Sequence, residues 1–371
     1  MNDPLNPIHD IQMPEDEVGE EKPQFKPLTT KDKPQSQWRN WHIPVLALLV
    51  IGSFLILNKH NAPAPYQHNE GAVFGTFYHL TYQSNDDLQS EVDSALKGVD
   101  ASLSMFNPNS ILSRVNRSED VTVDELFRRV FLLSKNVSAA TNGAFDITVA
   151  PLVNAWGFGF KNGALPDSDT VDSLRALVGW QHISMTDDNH IVKDNPDIIL
   201  DCSAVAKGFG VDVVADVLRS HGIENFMVEI GGEVVVSGVN PKGEAWRIGI
   251  NKPVDDPDSN SNELDTVLTL NNNALATSGN YRNYYVTEDG RRVAHTIDPA
   301  TGYPVQHSLL SATVLAPTCA EADAFATAFM VMGIDKAKNI LNHHPELQVF
   351  FIYDSIGEHR TFSTLRKTND E

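Results

Sequence analysis

The stretch DCSAVAKGFGVD, residues 201–212, sets one acid, one hydroxyl and one ammonium among mostly small side chains and ends on a second acid, Asp212. Small residues let a ligand approach the backbone closely, and glycine tolerates φ angles that other residues avoid. On that interpretation Asp201, Ser203 and Lys207 are ligand contacts. The same letters also fit the end of a strand, an Asp/Ser helix start and a helix over 204–220. The stretch alone predicts a strand-to-helix junction and leaves the presence of a ligand open.

Length and charge limit the classes of protein to consider. The chain has 371 residues and a formal net charge of −21. It is long enough for one large or two ordinary domains. The acidic balance argues against a nucleic-acid partner held through phosphate contacts. The two cysteines, Cys202 and Cys319, match no zinc spacing and cannot form a disulfide framework. An anionic ligand would need local help from a cation, helix N-termini or a few basic side chains.

Three segments of different composition divide the chain. Residues 1–37 are rich in Pro, Asp, Glu, Lys and Gln and predict a disordered tail. Residues 38–60 contain an uncharged apolar run from Ile43 to Leu57. Because a long segment precedes this run, we interpret it as an uncleaved membrane anchor rather than a signal peptide. Residues 61–371 have the pattern of a globular domain.

Basic residues lie mainly before the apolar run. Lys31, Lys33 and Arg39 precede it, and Lys59 closely follows it. Since positively charged flanks stay on the cytoplasmic side, we expect a cytoplasmic tail. The globular domain is then expected on the periplasmic or outer side of the membrane.

Strands and helices are mixed in the globular part. Strand patterns such as FMVEI, WRIGI and QVFFIY dominate the second half, with helices predicted at 204–220, 321–332 and 334–343. No G-x-G-x-x-G opens a helix after a first strand, which argues against a dinucleotide-binding βαβ fold. The predicted fold class is α+β, with mixed or antiparallel sheets and packed helices.

Three further stretches carry candidate functional residues. NGAFDITVAPLVNAWGFG, residues 142–159, joins Asp146 to an aromatic loop that could stack on a flat ring or cover a core edge. EIGGEVVVSG, residues 229–238, predicts a tight turn between two strands. AHTIDPATGYP, residues 294–304, places His295 beside an Asp-Pro turn. Imidazole suits general-base chemistry, although a structural histidine fits this position as well.

The stretch CAEADAFATAFMVMG, residues 319–333, predicts a helix with two polar groups on one face. Asp323 and Thr327 are four residues apart and so lie one turn apart. A carboxylate and a hydroxyl are suitable oxygen ligands for a hard cation. The alternative is that Asp323 supports the helix N-terminus and Thr327 bonds back to the main chain.

Taken together and in order, these motifs resemble those of the FAD:protein FMN transferases, the ApbE family. The resemblance runs from about Gly71 to the C-terminus and rests on GAFDITVAPLVNAWGFG, DCSAVAKGFGVD, IGGE, ATSGNYR, HTIDPATGYP and EADAFATAFMVMG. It implies an ApbE-like, T-fold-related α+β fold. It also implies a transferase that uses Mg²⁺ to move FMN from FAD onto a Thr or Ser of a target flavoprotein, through a phosphoester bond and with release of AMP. The implied targets are subunits of membrane redox complexes that carry D-x-x-[ST]-G-A-[ST].

The resemblance assigns roles to individual residues. The implied FAD contacts are Phe74, Phe106, Ala144, Phe145, Asp146, Asp201, Lys207 and Leu275. The implied Mg²⁺ ligands are the backbone carbonyl of Ala204 and the side chains of Asp323 and Thr327. We further expect His295 to take the proton of the acceptor hydroxyl, with Asp298 orienting it.

Some positions depart from the family pattern. Phe74 stands where many members have Met, Phe106 where some have Tyr, and Ala326 where some have a further Asp ligand. These changes bear on FAD affinity and leave the core metal set intact. No lipobox is present, so the anchor would tether the chain in a single pass to the bacterial inner membrane, with the catalytic domain on the periplasmic side. The resemblance also places Cys202 and Cys319 near the metal positions, which leaves a disulfide open.

Two other functions remain open at this point. One is a Mg²⁺-dependent FAD pyrophosphatase, in which water replaces the acceptor hydroxyl and FAD yields FMN and AMP. The other is a non-catalytic FAD-binding or carrier protein. Retention of Asp323, Thr327 and His295 argues against the carrier, because a pure binder has no need of a metal at the pyrophosphate.

Overall fold

A computed structural model of the chain describes residues 42–60, 63–158, 165–253, 263–280, 284–286 and 292–365. For residues 54–60, 284–286 and 292 it describes the backbone only. The predicted disordered tail, residues 1–37, lies outside these ranges.

The chain divides into two units, residues 1–62 and the compact unit Pro63–Glu371. The first unit contains helix α1, His42–His60. Across the described residues, no helix combines the length and apolarity needed to cross a membrane. The predicted transmembrane anchor at 38–60 is therefore not found.

An eight-stranded sheet forms the centre of the compact unit, as far as the described residues show. Its strand order is β1-β2-β5-β6-β9-β12-β13-β14, and every pairing between neighbours is antiparallel. The strands are β1 Tyr66–Val73, β2 Thr76–Gln83, β3 Ile183–Met185, β4 Ile191–Lys193, β5 Phe226–Ile230, β6 Glu233–Ser237, β7 Trp246–Asn251, β8 Leu264–Leu270, β9 Ala274–Gly279, β10 Tyr284–Val286, β11 Arg292–Ala294, β12 Leu309–Ala316, β13 Gln348–Ser355 and β14 Glu358–Ser363. The pairs β3-β4, β7-β8 and β10-β11 form separate ribbons. The α+β prediction is confirmed, and among the described strands its antiparallel form.

The helices of the compact unit, as far as it is described, are α2 Gln89–Leu103, α3 Ile111–Asn116, α4 Glu125–Ala140, α5 Ala150–Ala155, α6 Ser168–Arg175, α7 Ser203–Ser220 and α8 Cys319–Leu341. Helices α2, α4, α7 and α8 pack on one face of the sheet, whereas α5 and α6 pack around a separate small cluster with Ile297. Side chains of a strand alternate between faces, and β6 shows the result. Val235 packs in the helix-side core with residues of α2 and α7, whereas Val234 and Val236 pack with Trp246 and Leu270 of the β7-β8 ribbon. The ribbon therefore covers the opposite face.

The hairpin of β1 and β2 corrects a detail of the sequence interpretation. The alternating stretch GAVFGTFYHLTY suggests one strand, but the chain turns at Phe74 and Gly75, whose φ angles are 48° and 75°. Val73 pairs with Thr76 across this two-residue turn. A non-glycine residue at positive φ is uncommon, so a turn at Phe74 could not be predicted from the sequence.

Helix α8 is interrupted at Gly333, where the sequence predicts a boundary between two helices. Gly333 has a φ of 74°, outside the helical region. His307 Nε2 hydrogen bonds the Met330 carbonyl at 2.8 Å, just before the break. A side chain thus satisfies a carbonyl at the end of the first segment, and the break is locally stabilised.

Both cysteines are buried free thiols. The Cys319 Sγ lies 3.5 Å from the Leu275 carbonyl oxygen, to which it donates. The disulfide that the sequence leaves open is therefore not formed.

Candidate functional site

A cavity of about 560 Å³ opens where the first turns of α7, the edge of β6 and β9, the β7-β8 ribbon and helix α8 meet. This volume lies in the range of small-molecule sites. Ten of the residues assigned from the sequence line it: Ala144, Phe145, Asp146, Asp201, Ala204, Lys207, Leu275, His295, Asp323 and Thr327. Residues up to about 180 positions apart in sequence thus come together, as expected of a site assembled by a mostly non-local fold.

Helices α7 and α8 approach closely at Gly208. A Cβ built on Gly208 would lie 2.4 Å from the Cys319 carbonyl oxygen and 2.8 Å from Asp323 Cβ. The Gly208 amide donates to Asp323 Oδ2 at 3.0 Å. The glycine therefore permits helix-helix contact. Gly210, next along the stretch, leaves room for the ring of Phe74.

This finding revises the role of the glycines in residues 201–212. The sequence suggests that small residues let a ligand approach, and Ala204 does line the cavity. Gly208 and Gly210 instead face α8 and Phe74. In a regular α-helix the Gly208 amide bonds the Ala204 carbonyl, so Asp323 competes for a hydrogen that this carbonyl would otherwise receive.

Asp323 is one of three buried acids that line the cavity, with Asp146 and Glu233, and has 3% of its surface exposed. Burial raises the pKa of this carboxyl, while Lys207 and the Gly208 amide act in the opposite direction. On the next turn, Thr327 Oγ1 lies 3.3 Å from Ser278 Oγ. A buried carboxylate without full compensation is stabilised by a cation.

The predicted metal ligands therefore fit a hard cation by their chemistry. They comprise one carboxylate, one hydroxyl and one backbone carbonyl, which are all oxygen donors of the kind that Mg²⁺ takes. Among the described residues, no group of three or more His, Cys, Asp and Glu side chains is placed to hold a metal. The site would thus leave positions open for ligand oxygens, as Mg²⁺ bound with phosphates requires.

Lys207 forms an ion pair that the sequence analysis missed. Its Nζ lies 2.5 Å from Oε1 of Glu233, the first residue of β6, which also lines the cavity. Burial alone would lower the pKa of Lys207, but Asp323 and Glu233 outweigh it and raise that pKa. Burial and Asp323 raise the pKa of Glu233, and Lys207 opposes them. The IGGE motif held this residue, but its pattern indicated only a turn.

Two acids predicted to contact FAD also fix the local backbone. Asp146 accepts from the amide and hydroxyl of Thr148 and, at 2.8 Å, from the Trp180 amide. Asp201 Oδ1 accepts from the Ser203 amide at 2.8 Å, at the start of α7. Both residues line the cavity, so these contacts set where their oxygens lie.

The loop before α6 and the loop around residues 295–303 pack together through aromatic rings. Trp156 Nε1 donates to the Gly302 carbonyl at 2.8 Å, and its ring lies 5.6 Å from that of Tyr303. The Phe158 ring meets the His295 ring edge-on at 6.3 Å. Of the two interpretations of this aromatic loop, the packing favours the cover of a core edge, because Trp156 and Phe158 also pack against a small apolar cluster that includes Ile297.

Three predicted site residues do not line the cavity. Asp298 Oδ1 accepts from the Ala300 amide at 2.9 Å within its own turn, although the adjacent Pro299 does line the cavity. Phe74 packs its ring against Gly210 of α7. Phe106 is 74% exposed and lies at a separate surface depression. The side chains of Asp298, Phe74 and Phe106 therefore lie outside the cavity that the other ten predicted site residues line.

Comparisons with known proteins point to one class, the flavin transferases. A model of the ApbE family matches residues 74–351. An FAD:protein FMN transferase of Vibrio cholerae serotype O1 is 38% identical over 338 residues, which covers 88% of this chain and 98% of that protein. An FAD:protein FMN transferase of Escherichia coli K12 is 37% identical, over 73% of this chain and 80% of its own length. A solved structure, the flavin transferase ApbE from Vibrio cholerae, matches with a TM-score of 0.73 and 37% identity, over 81% of this chain and 97% of that one.

The fold and the cavity agree with these similarities. The chain belongs to the ApbE family.

Proposed function

We propose that this chain transfers FMN from FAD to a hydroxyl group of a target flavoprotein. It is an enzyme, an FAD:protein FMN transferase, with FAD as its substrate. The observation that carries the proposal is that Lys207, Asp323, Thr327 and His295 line one cavity. These residues combine a cation for phosphate, oxygen donors for a metal and a base for a hydroxyl.

The reaction requires one bond to form and one to break at phosphorus. The oxygen of the acceptor Thr or Ser attacks the FMN-side phosphorus of FAD and forms a phosphoester. The bond from that phosphorus to the bridging oxygen breaks, and AMP leaves with that oxygen. We propose that His295 takes the proton of the acceptor hydroxyl. Phe158, edge-on to the imidazole, restricts the directions in which the ring can turn.

The remaining side chains bind and orient the dinucleotide. Lys207 carries positive charge toward the pyrophosphate, and Asp201 lies at the cavity wall where the adenosine part is expected. Asp323, Thr327 and the Ala204 carbonyl would hold Mg²⁺. When bound, this ion supplies charge neutralisation at the phosphates. Partial closure by the β7-β8 ribbon, whose Ile248 and Ile250 line the cavity, would limit the access of water.

The acceptor and the location are further parts of the proposal. The expected acceptors are subunits of membrane redox complexes with a D-x-x-[ST]-G-A-[ST] motif. Residues 38–60 would tether the chain at the bacterial inner membrane, with the catalytic domain on the periplasmic side. The support is the apolar run Ile43–Leu57 and the basic residues that precede it. Cell fractionation with protease protection tests it: release of the full chain with the soluble fraction would refute the tether.

The test of function uses the full chain with FAD, Mg²⁺ and an acceptor domain that carries D-x-x-T-G-A-T. Intact mass of the acceptor and free AMP are measured together. A mass gain equal to FMN less water, matched by AMP, is the expected result. AMP without the mass gain, also with acceptors of varied sequence, would show the FAD pyrophosphatase instead. FAD binding with neither product would show the carrier.

A further inference from the structure

We propose that Glu233 is a positioning residue that holds the Lys207 ammonium at the β6 side of the cavity, and so keeps Asp323 available for a cation. This inference rests on the proposed function and names a residue that deepens it. No motif-based assignment gives Glu233 a role.

The contact geometry supports a directed role. Lys207 Nζ lies 2.5 Å from Glu233 Oε1, in the range of a charge-assisted hydrogen bond. The Glu233 side chain is 3% exposed, whereas that of Lys207 is 32% exposed. Glu233 is therefore the more deeply buried partner of a pair whose two side chains both line the cavity.

The position of Glu233 is set by the backbone. It follows the turn Gly231-Gly232, whose φ angles are 59° and 98°, and pairs with Ile230 across the β5-β6 hairpin. Residues of this turn line the cavity as well. A strand start after a two-glycine turn leaves the side chain little freedom to move with its partner.

A contribution to folding stability does not explain why a glutamate is buried at position 233. Glu233 Oε2 is buried and has no hydrogen-bond partner among the described residues. An unsatisfied buried carboxylate oxygen is costly, and replacing a buried ion pair with neutral groups is often neutral or stabilising. A residue that served the fold alone would satisfy both oxygens.

Charge gives the reason for the arrangement. Lys207 interacts electrostatically with both Asp323 and Glu233. Without Glu233 the ammonium would be free to turn toward Asp323, the other carboxylate that raises its pKa, and would neutralise the acid expected to hold Mg²⁺. With Glu233 in place, Lys207 and Asp323 stay separate groups, one for the phosphate and one for the metal.

The test measures FAD binding to the full chain by flavin fluorescence, first in EDTA and then across a Mg²⁺ series. The variants are Glu233→Gln, which keeps an acceptor oxygen but removes the charge, and Glu229→Gln as the matched control. Glu229 lies in the same hairpin, pairs with His79 and does not line the cavity; its Oε1 accepts from the Gly232 amide at 2.6 Å, a contact that the glutamine oxygen retains. For Glu233→Gln we expect weaker metal-free FAD binding at an unchanged melting temperature, because Lys207 turns from the phosphate to Asp323, and we expect the Mg²⁺ concentration at half effect to rise about tenfold. The control should match the wild type in both.

A second variant separates positioning from a general charge effect. The effect of Glu233→Gln on the Mg²⁺ half-effect concentration is compared in the wild type and in a Lys207→Met variant. We expect this effect to be at least about threefold smaller when Lys207 is absent. Equal shifts in the two backgrounds, or a loss of metal-free FAD binding together with a lower melting temperature, would overturn the proposal. Wild-type behaviour of Glu233→Gln would also overturn it, while leaving the transferase function untouched. Failure of the wild type to bind FAD would refute the proposed function itself.

Discussion

The amide of Gly208 on α7 donates a hydrogen bond to Oδ2 of Asp323 on α8, at 3.0 Å. This one contact joins the two helices that carry all three predicted metal ligands. It is possible because residue 208 has no side chain: a Cβ there would lie 2.4 Å from the Cys319 carbonyl oxygen. The geometry of the metal site therefore depends on the packing of α7 against α8.

Gly208→Ala should destabilise the protein and weaken its metal response together. The added methyl meets backbone atoms of α8, which cannot move aside as a flexible side chain can. We expect a loss of about 1–3 kcal/mol of unfolding free energy, measured by urea titration, and a higher Mg²⁺ requirement. Gly98→Ala is the matched control on α2, because its Cβ would meet only Leu126 Cδ1 at 3.7 Å. An equal effect of both substitutions would contradict the close-packing argument.

Asp212 gives a pH dependence to stability. Both of its carboxylate oxygens accept amides at the start of α8, from Cys319 and Ala320 at 2.9 Å. Burial nevertheless raises its pKa from 3.8 to about 6. Between these values the folded state binds more protons than the unfolded state, so the contribution of Asp212 to stability falls as pH rises from about 4 to about 6. Above about pH 6 it becomes constant.

Asp212→Asn should remove that slope. The free energy of unfolding of wild type and variant is measured by urea titration at about pH 4 and about pH 6.5. From the lower to the higher pH, the wild type should lose stability relative to the variant. Asp172→Asn on α6 is the control, because it removes a charge that does not act on Asp212, at a side chain that is 66% exposed. A difference that does not change with pH would show that the carboxyl of Asp212 titrates normally.

Local elements of this fold could be predicted from sequence because their signals are local. The helix predicted at 204–220 matches α7, Ser203–Ser220, because apolar spacing and the Asp201 turn mark its start. The break in α8 at Gly333 could be predicted for a similar reason, since a glycine there adopts positive φ. The turn at Phe74 could not, because an aromatic side chain rarely takes that conformation.

The candidate site could be predicted only in part. The motifs lead to ten residues that line one cavity, and their assembly depends on pairings between distant strands. Glu233 was missed because a carboxylate after two glycines indicates an exposed turn, whereas the fold buries it against Lys207. Asp298 stands near His295 in sequence but bonds its own turn. The role of each of these two side chains depends on its burial and on the direction in which it points, and neither property can be derived from the sequence.

Asp323→Asn should abolish the metal response while the fold persists. The amide oxygen can still accept from Gly208, but the charge that attracts a cation is gone. We expect Mg²⁺-dependent transfer to fall about a hundredfold or more, with a melting temperature in EDTA equal to or above that of wild type. Addition of EDTA to wild type should stop transfer, and Mg²⁺ should restore it. Glu321→Gln, a half-buried position in the first turn of the same helix, keeps an oxygen for the Thr318 hydroxyl and should behave as wild type. A matching loss there would point to a general effect of charge on α8.

His295→Ala should separate chemistry from binding. The imidazole lies at the cavity wall against the edge of Phe158, where it can reach an acceptor hydroxyl, so its removal should cost a proton acceptor and little else. We expect transfer to fall about 10²–10⁴-fold, measured as the initial rate of acceptor mass gain, while FAD binding by fluorescence stays near the wild-type value. Asp298→Asn is the informative companion, since its Oδ1 already serves the Ala300 amide and an asparagine can do the same. It should retain most of the activity. Normal transfer by His295→Ala would rule out the base, and a large loss in Asp298→Asn would restore the orienting role that the sequence suggested.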